Sequence, residues 1–307
     1  MRLAAIDIGT NSTKMTIADV SKIGQLSVVS ELSEVTRLGE GVDASRRLGD
    51  APKSRTLDAV ARFAGDARAL GAETVLGAGT SALRDAANGP EFLTEIKDRT
   101  GIAVEIITGD REAQLAYAAV RSDASLQIPA EASLLVFDIG GGSTELILGD
   151  ANGVGRYKSL DIGAVRLYER FLSSDPPSPF ELNAARAFAS ASFATFPQPD
   201  APLLVTGIGG TALNIAAVTQ GAAQADPDTI HGATLSAAEV SSALARFASV
   251  PLEQRRAIPG LDPKRADVIV AGALILDTLL TYFHAGHFLL SARGLRYGLL
   301  ADYAKTK

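Results

Sequence analysis

The sequence predicts an α/β fold made of two related domains, and three observations carry that reading. Short β-rich runs alternate with longer Ala-rich stretches of helical spacing. The stretch "AAIDIGTNSTKMTIADV" from Ala4 and the stretch "LLVFDIGGGSTELILGD" from Leu134 share one plan: a strand, Asp-Ile-Gly, a small polar turn, then a second strand. At 307 residues the chain has room for about two domains, each with its own core. A two-copy echo of this kind indicates paired domains and not a short-period solenoid.

Taken in order, residues 3–8 and 14–20 are expected as strands around "GTNST", with a third at 26–32. From Arg55 to Leu70 the residues Leu57, Val60, Ala61, Ala64, Ala67 and Leu70 follow helical spacing. "ETVLGAGTS" is a strand entering a small polar turn. "ALRDAANGPEFLTEIKDRTG" is mostly helix, interrupted near "NGP" and stopped by Gly101. "IAVEIITG" is a strand, and "DREAQLAYAAVRS" is a helix with Asp110 in a plausible capping position.

The plan then restarts. Strands are expected at 133–138, 144–149 and 155–162, and a helix at 164–172. The closely spaced prolines of "SSDPPSP" make it a loop. A helix follows at 180–194. "APLLVTGIGGTALNIAAV" repeats strand, glycine turn and helix. Further helices are expected at 236–248, 263–281 and 294–305, and a short strand at 287–291. The expected domains are 1–124, with a C-terminal helix at about 293–307 packing back on it, and 125–292.

Composition narrows the function classes. Hydrophobic residues make up 47% and charged residues 21% of the chain, an ordinary globular balance. No apolar run approaches the roughly 20 residues that cross a bilayer. "MRLAAIDIGT" lacks a sustained apolar segment and reads as a first strand, so a cytoplasmic protein is expected. There is no cysteine, which removes disulfides, thiolate metal sites and Cys nucleophiles. A formal charge of −6 argues against general nucleic-acid binding but not against an anionic substrate in an amide-lined cleft. His231, His284 and His287 are scattered, with no His-Asp doublet, so neither a zinc site nor a histidine-based phosphohydrolase is expected.

Glycine at a turn between strands lets backbone N–H groups converge on an anion, because no Cβ blocks the approach. Asn11, Ser12 and Thr13 in one copy, and Ser143 and Thr144 in the other, add polar donors. Asp7 and Asp138, at strand ends, would repel a bare phosphate and make sense with a divalent cation between. Glu145 could orient a metal-bound water. The plain alternative is that these glycines only tighten hairpins. Neither the dinucleotide-binding nor the P-loop pattern is present.

"DIGTNST", "DIGGGSTE" and "GIGGT" together resemble the sugar kinase, heat-shock chaperone and actin superfamily. "GAGTSALRDA", "EIITGDREAQLAY", "GLDPKRADVIVAGALIL" and "LLSARGLRYGLL" narrow the resemblance to the exopolyphosphatase / guanosine pentaphosphate phosphohydrolase (Ppx/GppA) family, in its short two-domain form. The match is collinear from about Ala4 to Leu300. It implies two ribonuclease-H-like (actin-like ATPase) domains with mixed five-stranded sheets, facing each other across a phosphate-binding cleft.

The resemblance also implies roles. Glu112 matches the general base that activates water, and Glu145 and Asp138 match acids that position metal and water, with Asp7 as a further metal candidate. Arg84 matches a substrate-binding arginine. Asn11, Ser12 and Thr13, then Gly140, Gly141, Gly142, Ser143 and Thr144, then Gly209, Gly210 and Thr211 match the phosphate-binding turns. Where the family often has two adjacent acids, this chain has Arg111 before Glu112; where it often reads Gly-Leu-Arg-Glu-Gly, this chain has Tyr297. Mg²⁺ or another divalent cation is implied, with K⁺ as a further candidate and a homodimer as a candidate assembly.

Exopolyphosphatase activity is the expected function. The alternatives are a guanosine pentaphosphate phosphohydrolase, a polyphosphate:nucleoside diphosphate phosphotransferase and a non-enzymatic alarmone-responsive protein. Longer relatives add a helical C-terminal module that grips long chains, so a short form is expected to prefer shorter polymers. Arg37, Arg46, Arg47, Lys53 and Arg55 are candidate cations for a phosphate chain; the alternative there is a solvated face, since Glu34, Glu40, Asp43 and Asp50 are interleaved.

Overall fold

Three antiparallel strands, β1 (Arg2–Ile8), β2 (Ser12–Val20) and β3 (Leu26–Val35), begin the chain. After them come α1 (Val42–Ser45), α2 (Asp50–Ala69), β4 (Thr74–Gly79), α3 (Ser81–Asp85), α4 (Gly89–Thr100), β5 (Val104–Ile106) and α5 (Gly109–Arg121). The computed structural model describes residues 1–199 and 203–307, so Ala201 and Pro202 of the "APLLVTGIGG" segment lie outside the described residues. The chain divides into two compact units, Met1–Ala119 with Arg293–Lys307, and Val120–Ala292.

The first unit holds a five-stranded sheet in the order β3-β2-β1-β4-β5. Strands β1, β4 and β5 are parallel, so their C-terminal ends share one edge. That edge collects the Gly9 turn, α3 and the start of α5, which is where parallel sheets place ligands. Helix α2 starts at Asp50, ahead of the expected Arg55, because its first turn is polar and shows no apolar period. Pro52 is tolerated there, since the N–H of a first-turn residue has no helical partner to lose. The Thr108 hydroxyl, and not Asp110, caps α5 by accepting from Arg111 N at 3.2 Å.

The second unit contains β6 (Leu134–Ile139), β7 (Thr144–Asp150), β8 (Gly153–Leu160), α6 (Ala164–Phe171), α7 (Pro179–Phe193), β9 (Leu204–Ile208), α8 (Gly210–Thr219), α9 (Pro227–Ile230), β10 (Thr234–Ser236), α10 (Ala237–Ala248), α11 (Leu252–Arg255), α12 (Ile269–Tyr282) and β11 (His287–Leu290). Its sheet runs β10-β11-β9-β6-β7-β8. The sixth strand beyond the expected five is β10, whose three residues are too few to show a period. Finally α13 (Leu295–Lys305) packs on β1 and β2 of the first unit. No helix among the described residues is long and apolar enough to cross a membrane.

The two leading hairpins match residue for residue. Ile8 pairs with Thr13 and Asp7 with Lys14; Ile139 pairs with Thr144 and Asp138 with Glu145. Gly9 N donates to Ser12 O at 3.1 Å, and Gly140 N to Ser143 O at 3.0 Å. The sequence echo is therefore an echo of backbone geometry.

Helix α12 is buried from Ile269 to Leu280. It starts at Ile269, not at 263, because Asp262 caps a 3₁₀ turn over Pro263–Arg265 first. Within it Asp277 is 9% exposed, accepts from Arg186 Nη1 of α7 at 2.6 Å and from the Ser241 hydroxyl of α10, and so ties three helices. Asp277→Ala leaves both donors without their acceptor. The expected cost is about 2 kcal/mol, read as a fall in Tm of about 4–8 °C. An unchanged melting curve would show that the three helices do not depend on this carboxylate.

Candidate active site

In the second unit, the carbonyls of the glycine turn are all taken from one side. Ala164 N donates to Gly140 O at 2.9 Å, Val165 N and Arg166 N to Gly141 O at 2.8 and 3.1 Å, and the buried Arg166 Nε to Gly142 O at 2.7 Å. A trans peptide points its N–H opposite to its C=O. The N–H groups of Gly141, Gly142 and Ser143 are thus turned away from α6, and none of them donates to a backbone carbonyl among the described residues. Three successive outward amides form a cradle for an anion. Gly163 is required beneath it, because a Cβ there would lie 2.4 Å from the Gly141 carbonyl.

The first unit builds the same turn with a loop in place of α6. Gly39 N donates to Thr10 O at 2.8 Å, and Thr36 N and Arg37 N share Asn11 O at 3.1 and 2.9 Å. The amides of Asn11 and Ser12 face the other way by the same peptide geometry. Asn11 is 6% exposed, yet neither atom of its side-chain amide has a hydrogen-bond partner. A buried amide left open in this way suits a ligand oxygen.

The third turn starts α8. Gly209 has φ +94°, and no side chain caps the helix, so its first amides stay open to an anion. A Cβ at Gly209 would sit 2.4 Å from Asp138 Oδ1, and one at Gly210 would sit 2.6 Å from the Arg265 guanidinium. These glycines therefore let a carboxylate and a cation lie directly against the helix start. Arg265 was not among the residues singled out from the sequence, although it lies in the "GLDPKRADVIVAGALIL" stretch. Burial pushes its guanidinium down from its ordinary value, opposed by Asp262 and Asp267.

The hydroxyls of three predicted phosphate contacts are engaged within the fold. Thr13 Oγ1 pairs with Thr36 Oγ1 at 3.0 Å, Thr144 Oγ1 donates to Ile162 O at 2.6 Å, and Thr211 Oγ1 donates to Ile139 O at 3.3 Å. A threonine has one hydroxyl proton. At the buried Thr144 and Thr211 it goes to a backbone carbonyl, and the buried Thr13 hydroxyl shares one hydrogen bond with Thr36, so these side chains brace the turns.

Glu112, 8% exposed, lies in the first turn of α5 and accepts from Arg84 Nη1 at 2.6 Å. The same Nη1 donates to Ile107 O at 3.0 Å. Arg84 thus fixes the carboxylate and also presents a permanent cation beside it. Arg111, the departure next to Glu112, is paired with Asp302 of α13. Glu145 is 2% exposed and accepts from Ser159 Oγ at 2.8 Å. Asp138 is half-buried opposite it. Tyr297 is buried and stacks on the Arg293 guanidinium.

Asp7 Oδ1 is buried and accepts no hydrogen bond. Burial pushes the Asp7 carboxyl above its ordinary value, opposed by Lys14 and Arg296. The folded state therefore holds this proton more tightly than the unfolded chain. The penalty for ionising Asp7 is absent below the ordinary carboxylate range and grows as pH rises through it. Asp7→Asn is expected to raise Tm at pH 8 by about 2–4 °C without added cation, and by less at pH 4. A gain that is equal at both pH values would refute this account of Asp7.

A second polar cluster is structural. His231 Nδ1 accepts from Ala292 N at 3.1 Å, so Nε2 carries the proton, facing Ser125 Oγ at 2.8 Å and Asp123 Oδ2 at 3.2 Å. An Nε2–H cannot serve as base for Ser125.

Comparison with known proteins places this geometry. A sequence model of the Ppx/GppA phosphatase family matches residues 5–307. Exopolyphosphatase 2 of Mycobacterium tuberculosis is 36% identical over 290 residues, 91% of this chain and 89% of that protein. The solved PPX-GPPA enzyme of Aquifex aeolicus is 33% identical, with a TM-score of 0.81 over 98% of this chain and 99% of its own. A solved exopolyphosphatase-like protein is 30% identical, with a TM-score of 0.90 over 98% and 97%.

Proposed function

The chain belongs to the Ppx/GppA phosphatase family, and from that footing we propose that it is an exopolyphosphatase, cleaving the terminal phosphoanhydride of inorganic polyphosphate to release orthophosphate. The observation that carries the reading is the buried Glu112 carboxylate, held by Arg84 at 2.6 Å on the same sheet edge as the Gly9 turn. Phosphoanhydride hydrolysis asks for positioning and charge neutralisation, with little covalent chemistry.

Each unit, taken by itself, carries groups suited to this. Glu112 accepts a proton from the attacking water, and Arg84 stays on the carboxylate while offering its remaining N–H groups to non-bridging oxygens. The outward amides of Gly141, Gly142 and Ser143, with the uncapped start of α8, hold phosphoryl oxygens whose charge grows during transfer. Arg265, against Gly210, adds a cation at the same turn.

The donors fit a divalent cation, proposed as Mg²⁺. In the second unit Asp138 and Glu145 face each other in register; in the first, taken by itself, Asp7 has a buried oxygen that accepts no hydrogen bond. Among the described residues no three His, Cys, Asp or Glu gather into a cage, which suits an ion held by one or two carboxylates plus substrate oxygens. When bound, such an ion neutralises phosphoryl charge.

Phosphate release from polyphosphate and from guanosine pentaphosphate, at equal concentration with and without Mg²⁺, tests the proposal. Mg²⁺-dependent release from polyphosphate is the expected result. No release from polyphosphate would defeat it.

A further inference from the structure

Five cations between Arg37 and Arg55 could meet a phosphate chain, and the structure separates them. Lys53 Nζ is bound to Glu95 at 2.8 Å, and Arg55 is bound to Thr36 O at 3.0 Å and to Glu40 at 2.8 Å. Arg37 has interactions of its own. Arg46 and Arg47 are exposed, and no ion pair engages either among the described residues. Asp43 and Asp50 are the nearby acids in sequence; Asp43 already has a partner, and Asp50 starts α2, where the helix dipole favours it.

The loop bearing these two arginines is fastened to the site at both ends. At one end Arg37 N and Gly39 N hold Asn11 O and Thr10 O of the first anion turn. At the other, Ala87 N donates to Arg46 O at 2.9 Å, and Leu48 and Asn88 exchange hydrogen bonds of 2.8 and 3.0 Å. Ala87 and Asn88 follow Ala86, the C-cap of α3, which carries Arg84. Residues 37–48 therefore run from the phosphate turn to the end of the Arg84 helix along one flank of the first unit.

Backbone conformation adds an independent sign. Arg46 has φ +56° and ψ +27°, the left-handed conformation that closes α1. Glycine or asparagine adopts it at lower cost. A large cation kept there, with its side chain unspent on the fold, points to a use outside the fold.

We propose that Arg46 and Arg47 form an outlying subsite for inorganic polyphosphate, gripping internal phosphates of a chain whose terminal unit is at Asn11, Arg84 and Glu112. This rests on the exopolyphosphatase reading. The subsite acts only on chains long enough to reach it, so it sets length preference through KM and leaves the bond-breaking step alone. Contacts by exposed guanidinium groups also weaken as salt rises.

The test compares tripolyphosphate with a long polyphosphate, using the double variant Arg46→Gly/Arg47→Ala. Glycine suits the φ of Arg46, so loss of fold is not the expected outcome, and a melting curve checks it. KM for the long polymer should rise about tenfold, roughly 1.4 kcal/mol, with kcat little changed. KM for tripolyphosphate should stay within about twofold, the scatter of a surface change. Lys53→Ala, removing an already paired cation, should reproduce wild-type behaviour. Equal shifts for both substrates, or none for either, would overturn the subsite. Binding of fluorescently labelled long polyphosphate separates this from failure of the hydrolase reading. Wild-type binding that the double variant loses supports the subsite even without turnover, and equal binding by both proteins refutes it.

Discussion

Glu112→Gln is expected to lower kcat by about 10²–10⁴-fold. Glutamine keeps the length of the side chain and an oxygen for the Arg84 Nη1 bond now 2.6 Å long, so the packing of α5 survives. What it loses is the capacity to take a proton from water. The same variant should bind polyphosphate at least as well as wild type, because Arg84 no longer shares its charge with a carboxylate. Initial rates of phosphate release, a melting curve and polyphosphate binding, measured together, separate a chemical loss from a structural one. Release within about tenfold of wild type would remove Glu112 from the role of base.

Gly209→Ala should be nearly as damaging, by a different route. The added methyl would lie 2.4 Å from Asp138 Oδ1 and would hold a side chain at φ +94°. Backbone and carboxylate cannot both stay in place, so the start of α8 shifts, or Asp138 does. A loss of about 10²-fold in kcat/KM follows from a displacement of this kind. The Mg²⁺ concentration for half-maximal activity should rise too. Full activity with an unchanged Mg²⁺ response would show that the contact between Asp138 and the α8 turn is not used.

Most of the chain was legible because its elements are long or strongly patterned. The paired hairpins stood out through their repeated Asp-Ile-Gly, and residues 89–100 through the "NGP" break at their start and Gly101 after them. The short pieces α1, α9, α11 and β10 left no trace, since three or four residues carry neither a helical nor an alternating period. Residue types were read well as candidates and less well as roles. Nothing local in the sequence says that Thr144 and Thr211 spend their only proton inside the fold. That depends on which carbonyl lies opposite after folding. Arg265 was missed for the complementary reason: only folding brings its guanidinium against Gly210.

The matched registers of the two hairpins have one more consequence. Where the first copy sets Lys14 against its aspartate, the second sets Glu145. A single charge reversal at one equivalent position is enough to end the equivalence of the halves. The first hairpin sets an ammonium beside its anion turn, while the second sets paired acids beside its own, so the second turn takes an anion only together with a counter-ion. A duplicated framework of this kind acquires specialisation: the same backbone turn answers to a different local charge in each unit, without a change of fold.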